Sequence, residues 1–122
     1  MEISVEQALK QQGYIMTYKC LIKELGTLEA IFLCELISKH KYFEDRDMLD
    51  DDGYFYCTYE SLNESTGIKR RKLESLRAKF KELGLIDFKR KGIPARIWYK
   101  IDYEKVLEVS KFTASGGQQN RQ

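Results

Sequence analysis

The chain has 122 residues, 43% of them hydrophobic and 33% charged, which fits one folded domain and excludes a disordered chain and a two-domain enzyme. Its longest apolar run, Ala30 to Cys34, falls far short of the roughly twenty residues of a membrane span. The start, Met1-Glu2-Ile3-Ser4, has neither the basic nor the apolar region of a signal peptide. The net charge of +2 averages over unequal parts: residues 40–67 carry eight acids and two bases, residues 68–100 twelve bases and three acids. The odd set Cys20, Cys34 and Cys57 has no metal-ligand spacing and fits a reducing, cytoplasmic setting. The single histidine, His40, has no cysteines nearby in sequence for a zinc site, although spacing alone leaves a catalytic Cys–His pair open. It is expected in the last turn of a helix, where a cation is favoured. No metal or cofactor is expected.

Ser4 can cap a short helix through Val5, Ala8 and Leu9 that stops at Gly13. Tyr14 to Cys20 alternates weakly and reads as a short strand or extended segment. Gly26-Thr27 is a stop and a restart, with Thr27 as the cap of a helix over about Leu28 to Lys41 and Glu29 in its first turn. Leu28, Ile31, Phe32 and Leu36 share one face of that helix, and Leu33 and Ile37 lie on the other, with Ala30 and Cys34 between. A helix apolar on nearly all sides is buried on more than one side. The N-terminal segment (Val5, Leu9, Ile15) is expected to cover Leu33 and Ile37; a homodimer interface is the alternative.

Glu44 to Asp52 is acidic but does not fit a calcium loop, since Leu49 occupies a ligand position and Gly53 falls at the wrong offset. Its acids are expected to be solvated. Asp52-Gly53 is a hairpin-turn dipeptide, so Tyr54 to Cys57 should be part of a hairpin or a strand. Thr58 caps a short helix from Tyr59 to about Ser65, and Thr66-Gly67-Ile68 is a tight turn. The next helix runs from about Lys69 to Leu83, with Leu73, Leu76, Phe80 and Leu83 on one side and Gly84 ending it.

Ile86 to Lys91 and Arg96 to Ile101 alternate around the turn Gly92-Ile93-Pro94-Ala95. Pairing Lys91 with Arg96, Lys89 with Trp98, Phe88 with Tyr99, Asp87 with Lys100 and Ile86 with Ile101 puts apolar partners on one face and polar partners on the other. Asp102 to Ser110 reads as a closing helix with Val106, Leu107 and Val109 as its apolar positions. Residues 113–122 contain no large apolar side chain and read as a flexible polar tail or linker after a domain spanning 1–112.

Two helices joined by a tight glycine turn and followed by a basic hairpin predict an α+β, mostly helical fold. It is a winged helix-turn-helix with an extra N-terminal segment and a C-terminal helix. The second helix of such a pair can enter the major groove of double-stranded DNA and present its N-terminal side chains to base edges. Opposite its core face lie Arg71, Glu74, Ser75 and Ala78, flanked by Arg70. Small residues at 75 and 78 permit close approach, and Arg70 and Arg71 can reach guanine or phosphate. Glu74 can accept from cytosine or pair with Arg70 or Arg71, and the intrahelical pair is favoured. Lys69 and Lys72 suit phosphates, while Lys89, Arg90, Lys91, Arg96 and Lys100 of the hairpin would lie along the backbone or in the minor groove. Trp98 is either a stacking surface for nucleic acid or a half-buried ring covered by the Lys89 stem; the second reading is preferred.

Leu62, Thr66-Gly67-Ile68, Leu73, Leu76 and Leu83-Gly84-Leu85-Ile86, followed by a basic wing, resemble the prokaryotic winged-helix DNA-binding pattern. Asp50-Asp51-Asp52-Gly53 running into Tyr54-Phe55-Tyr56-Cys57-Thr58, and the wing from Lys91 to Asp102, are similar to the N-terminal domains of plasmid replication initiators and phage replisome-organiser proteins. The resemblance spans about residues 14–110. It implies sequence-specific binding of a replication origin, with contacts to other replication proteins left to a domain that this chain does not include. Bacterial transcription regulators share the same core and supply the alternative function. A protein–protein interaction module is a further alternative, which has no need of the basic block. No phosphate loop, nucleophile elbow or paired metal ligands point to an enzyme.

Overall fold

The computed structural model describes residues 3–112; the tail expected over residues 113–122 lies outside them. In chain order the elements are α1 (Val5–Gln11), α2 (Lys19–Leu25), α3 (Thr27–Asp45), β1 (Phe55–Tyr56), α4 (Tyr59–Thr66), α5 (Arg70–Glu82), β2 (Ile86–Lys91), β3 (Arg96–Ile101) and α6 (Tyr103–Val109). Among the described residues, no helix is long and apolar enough to cross a membrane.

Ser4 caps α1 as expected. Its hydroxyl accepts from the Gln7 N–H at 3.1 Å, and the Gln7 side chain accepts from the Ser4 N–H at 3.0 Å. The helix nevertheless buries nothing, and Val5 and Leu9 are exposed. The cover expected from them on α3 comes instead from Ile15 and from α2, a helix that occupies residues read in part as extended. Leu21, Ile22 and Leu25 recur at helical spacing and lay one stripe against α3, with Leu21 buried. Of the segment expected to be a strand or extended, Lys19 and Cys20 are therefore helical, and Tyr18 before them is extended. Only residues 13–18 remain without regular structure there.

Gly26, not Thr27, is the N-cap of α3. Its φ of +109° suits glycine, and a Cβ there would lie 2.5 Å from the Glu29 carboxylate, which folds back over the helix start. The helix continues to Asp45, past the expected end near Lys41. It is buried on two sides through Ala30, Phe32, Leu33, Cys34 and Leu36, whereas Leu28 is exposed. His40 is therefore not in the last turn. Its ring stacks between Phe55 and Tyr103, at centroid distances of 5.6 and 5.5 Å, with Nδ1 2.5 Å from the Tyr103 hydroxyl.

The hairpin has the register expected from its alternation, from Ile86 opposite Ile101 to Lys91 opposite Arg96. The strand after Asp52-Gly53 does not form a hairpin of its own. β1 pairs with β3, Phe55 opposite Tyr99 and Tyr56 opposite Trp98, so the sheet order is β1-β3-β2. The core lies between this sheet and α3, α4 and α5, with Phe32 meeting Phe80 edge-on at 5.4 Å. Leu83 and Leu107, expected on core faces, are exposed: Leu83 is the C-cap of α5, and in α6 Val106 is the buried side chain. Helices α4 and α5 with the β2–β3 hairpin make a winged helix-turn-helix.

Leu33 is fully buried within the single chain. Leu33→Ala should cost about 2–5 kcal/mol in denaturant unfolding, while Val5→Ala, on the exposed α1, should change stability by less than about 0.5 kcal/mol.

Candidate nucleic-acid interface

The α4–α5 turn is held by local polar contacts that position the start of α5. Thr58 caps α4 by accepting from the Ser61 N–H at 3.0 Å. At the other end Gly67 takes a left-handed φ of +76°. The Thr66 hydroxyl donates to the Leu62 carbonyl at 2.6 Å and accepts from the Ile68 N–H at 3.1 Å. The Asn63 amide donates to the Ile68 carbonyl at 2.9 Å. With both arms of the turn tied, burial of Leu73, Leu76 and Phe80 sets the rotation of α5.

The opposite face of α5 is exposed, and it carries Arg70, Arg71, Glu74, Ser75 and Ala78. Lys69, the N-cap, and Lys72 are exposed beside them. Glu74 pairs within the helix as favoured, its carboxylate 3.4 Å from Arg70 Nε. The Arg70 guanidinium also lies over the Tyr59 ring, 4.5 Å from its centroid. Arg71 makes no ion pair among the described residues and stands clear on the same face.

The wing divides its cations between two sides. Arg90 follows Phe88 on one face of β2, while Lys89 and Lys91 share the other. Arg90 and Arg96 line, with Arg70, Thr58, Tyr59 and Glu60, a cleft of about 210 Å³ between the α4 N-terminus and the wing, and the Arg96 guanidinium lies 4.8 Å from the Tyr56 ring centroid. Lys89 and Lys91 instead converge on Asp50, at 2.9 and 2.7 Å. Lys100 is apart from the cleft, 5.6 Å from the Tyr54 ring centroid.

The acidic loop is thus only partly the solvated segment expected. The side chain of Asp50 is 7% exposed. It accepts from the backbone N–H groups of Asp52 and Tyr54, both at 2.9 Å, besides the two lysines. Burial alone would raise its pKa; these lysine and backbone donors together outweigh that cost and hold the carboxyl well below the usual carboxylate range. Asp87 is held low as well, first by Lys81 and then by the Tyr54 hydroxyl, which donates to it at 2.6 Å. Trp98 is half-buried as preferred, but the cation over it is Lys91, 4.2 Å from the ring centroid. Lys89 lies over Tyr54. The loop draws both lysines across the sheet, which is why the pairing differs from the cross-strand expectation.

Arg77 has no place in the sequence reading, yet it joins the two halves of the site. Its guanidinium lies 4.7 Å from the Phe88 ring centroid and 5.1 Å from that of Tyr59, beside the Tyr99 hydroxyl. Nε and Nη1 are buried without hydrogen-bond partners. The signal was its position, four residues after Leu73 and three before Phe80, which puts an arginine on the apolar stripe.

No family model matches the chain. No curated protein matches it either. Solved structures similar to it include one described as the N-terminal domain of a DNA-binding protein, with a TM-score of 0.59, and one described as a Rep–DNA complex, with a TM-score of 0.60. Each is 19% identical, and each match covers 93% of this chain and 98% of the other. The chain shares its fold with these two domains.

Asn at position 50 can keep the acceptor for the backbone N–H groups but loses the charge that gathers Lys89 and Lys91. Asp50→Asn should lower the melting temperature by about 5 °C at neutral pH. A carboxylate with a depressed folded-state pKa stabilises above its unfolded value, near 4, and loses that contribution as pH falls. The gap between variant and wild type, followed by thermal melts, should therefore narrow below about pH 4.

Proposed function

We propose that the domain binds double-stranded DNA sequence-specifically, as the origin-recognition part of a replication initiator of a plasmid, phage or related mobile element. The observation that carries the reading is the convergence of Arg70 of α5 with Arg90 and Arg96 of the wing on one cleft, next to the exposed face that holds Arg71. A basic surface continuous from helix to wing suits a phosphate backbone running past a helix in the major groove. The structural similarity to a Rep–DNA complex supports replication over transcriptional control.

In this reading Arg71 contacts a base, Ser75 and Ala78 allow the approach, and Glu74 holds Arg70 in place. Lys69, Lys72, Arg90 and Arg96 hold phosphates. Lys89, Lys91 and Lys100 contribute through the field of the wing, because Asp50 engages the first two and the third lies off the cleft.

Base contacts set sequence preference, while phosphate contacts set affinity and its salt dependence. Arg71→Ala should cost about 1–3 kcal/mol on a selected site and little on scrambled DNA, shrinking the ratio between them. Arg96→Ala should weaken both duplexes alike and reduce the salt slope by about one. Titration of both duplexes at several salt concentrations measures this. An unchanged ratio for Arg71→Ala with a collapsed ratio for Arg96→Ala would exchange the two roles; failure of the wild type to bind any duplex would sink the reading. Sites selected from a random pool that recur within the coding region support an initiator, and sites overlapping a promoter support a regulator.

A further inference from the structure

At the tip of the wing an apolar side chain stands fully in water. Ile93 is 103% exposed, and its neighbours Pro94 and Ala95 are exposed as well. The tip covers no part of the core, so nothing in the fold itself calls for a large aliphatic residue there. Immediately behind it stand two arginines, Arg96 at the start of β3 and Arg90 on the cleft side of β2, while Lys91, opposite Arg96, is drawn to Asp50. An apolar point beside these arginines is poorly suited to an apolar protein surface, where the two cations would be desolvated without partners. It suits a polyanion with an apolar interior, which is what stacked base pairs between two phosphate rails present.

We propose that Ile93 is a wedge that enters the minor groove and partly unstacks one base step, while Arg90 and Arg96 hold phosphates beside it. The inference rests on the DNA-binding reading and adds to it a residue that selects sequence without hydrogen-bonding to a base. With α5 in the major groove, the wing reaches toward the neighbouring minor groove, which is about 6 Å wide and admits a tight turn but not a helix. Aliphatic side chains inserted between bases kink the duplex, and pyrimidine–purine steps such as TA and CA yield most easily. Ile93 would therefore favour such a step at a fixed distance from the bases that α5 reads.

The test compares duplexes selected from one random pool by the wild type, Ile93→Ala and Ile93→Leu. Because the side chain is fully exposed, neither change removes a core contact. The wild type and Ile93→Leu should return the bases read by α5 together with a fixed pyrimidine–purine step, preferred about tenfold. Ile93→Ala should return the same α5 bases with no preference at that step. A 2-aminopurine placed in the step should brighten on binding of the wild type and stay dark with Ile93→Ala. Indistinguishable pools, or a probe that stays dark with the wild type, overturn the wedge and leave DNA binding intact. A wild type that enriches no duplex overturns the DNA-binding reading, and the wedge with it.

Discussion

Burial of Leu73, Leu76 and Phe80 against the core fixes the rotation of α5, and the site depends on that rotation. A helix of this length has one stripe to bury, and whatever lies opposite is delivered to solvent. The bare face then holds two arginines, a glutamate and two small residues. The partner surface is supplied by α3, whose Phe32 and Leu36 are fully buried, while Leu33 is also fully buried as α2 packs on the helix. A helix wrapped on two sides is a rigid platform, because neither side can yield without opening a cavity.

The wing is fixed by a different means. β3 is the central strand, paired with β2 along its whole length and with β1 for two residues. The hairpin is thus tied to the segment that precedes the helix-turn-helix as well as to the one that follows. Polar contacts reinforce this tie: Asp50 gathers two lysines from β2, and Asp87 bridges Tyr54 and Lys81. Arg77 adds the link between α5 and the wing, its guanidinium lying between the rings of Tyr59 and Phe88. Burying part of that cation without hydrogen bonds is costly, and the aromatic faces return part of the cost.

Much of this was legible in the residues because local rules and tertiary packing agreed. The register of the hairpin followed from alternation alone, and the extent of α5 followed from its apolar spacing and Gly84. The failures fall where long-range contacts decide. α2 is short and has no side-chain cap, so packing on α3 is what makes it a helix. Leu9 and Leu107 sit at plausible core positions, but nothing in the described residues covers them. Asp50 looked like one of a run of solvated acids, and its role depends on lysines some forty residues later, beyond the reach of periodicity. The exposed face of α5 could be listed residue by residue, whereas the division of wing cations between cleft and acidic loop needed the third strand.

The position of β3 also joins near and distant parts of the chain. The β2–β3 hairpin closes through a four-residue turn, so its pairing is local and its loop-closure entropy small. β1 instead pairs Phe55 with Tyr99, a contact between distant parts of the chain that closes a much longer loop. The wing thus holds its shape by local pairing and takes its aim from a seam between distant segments.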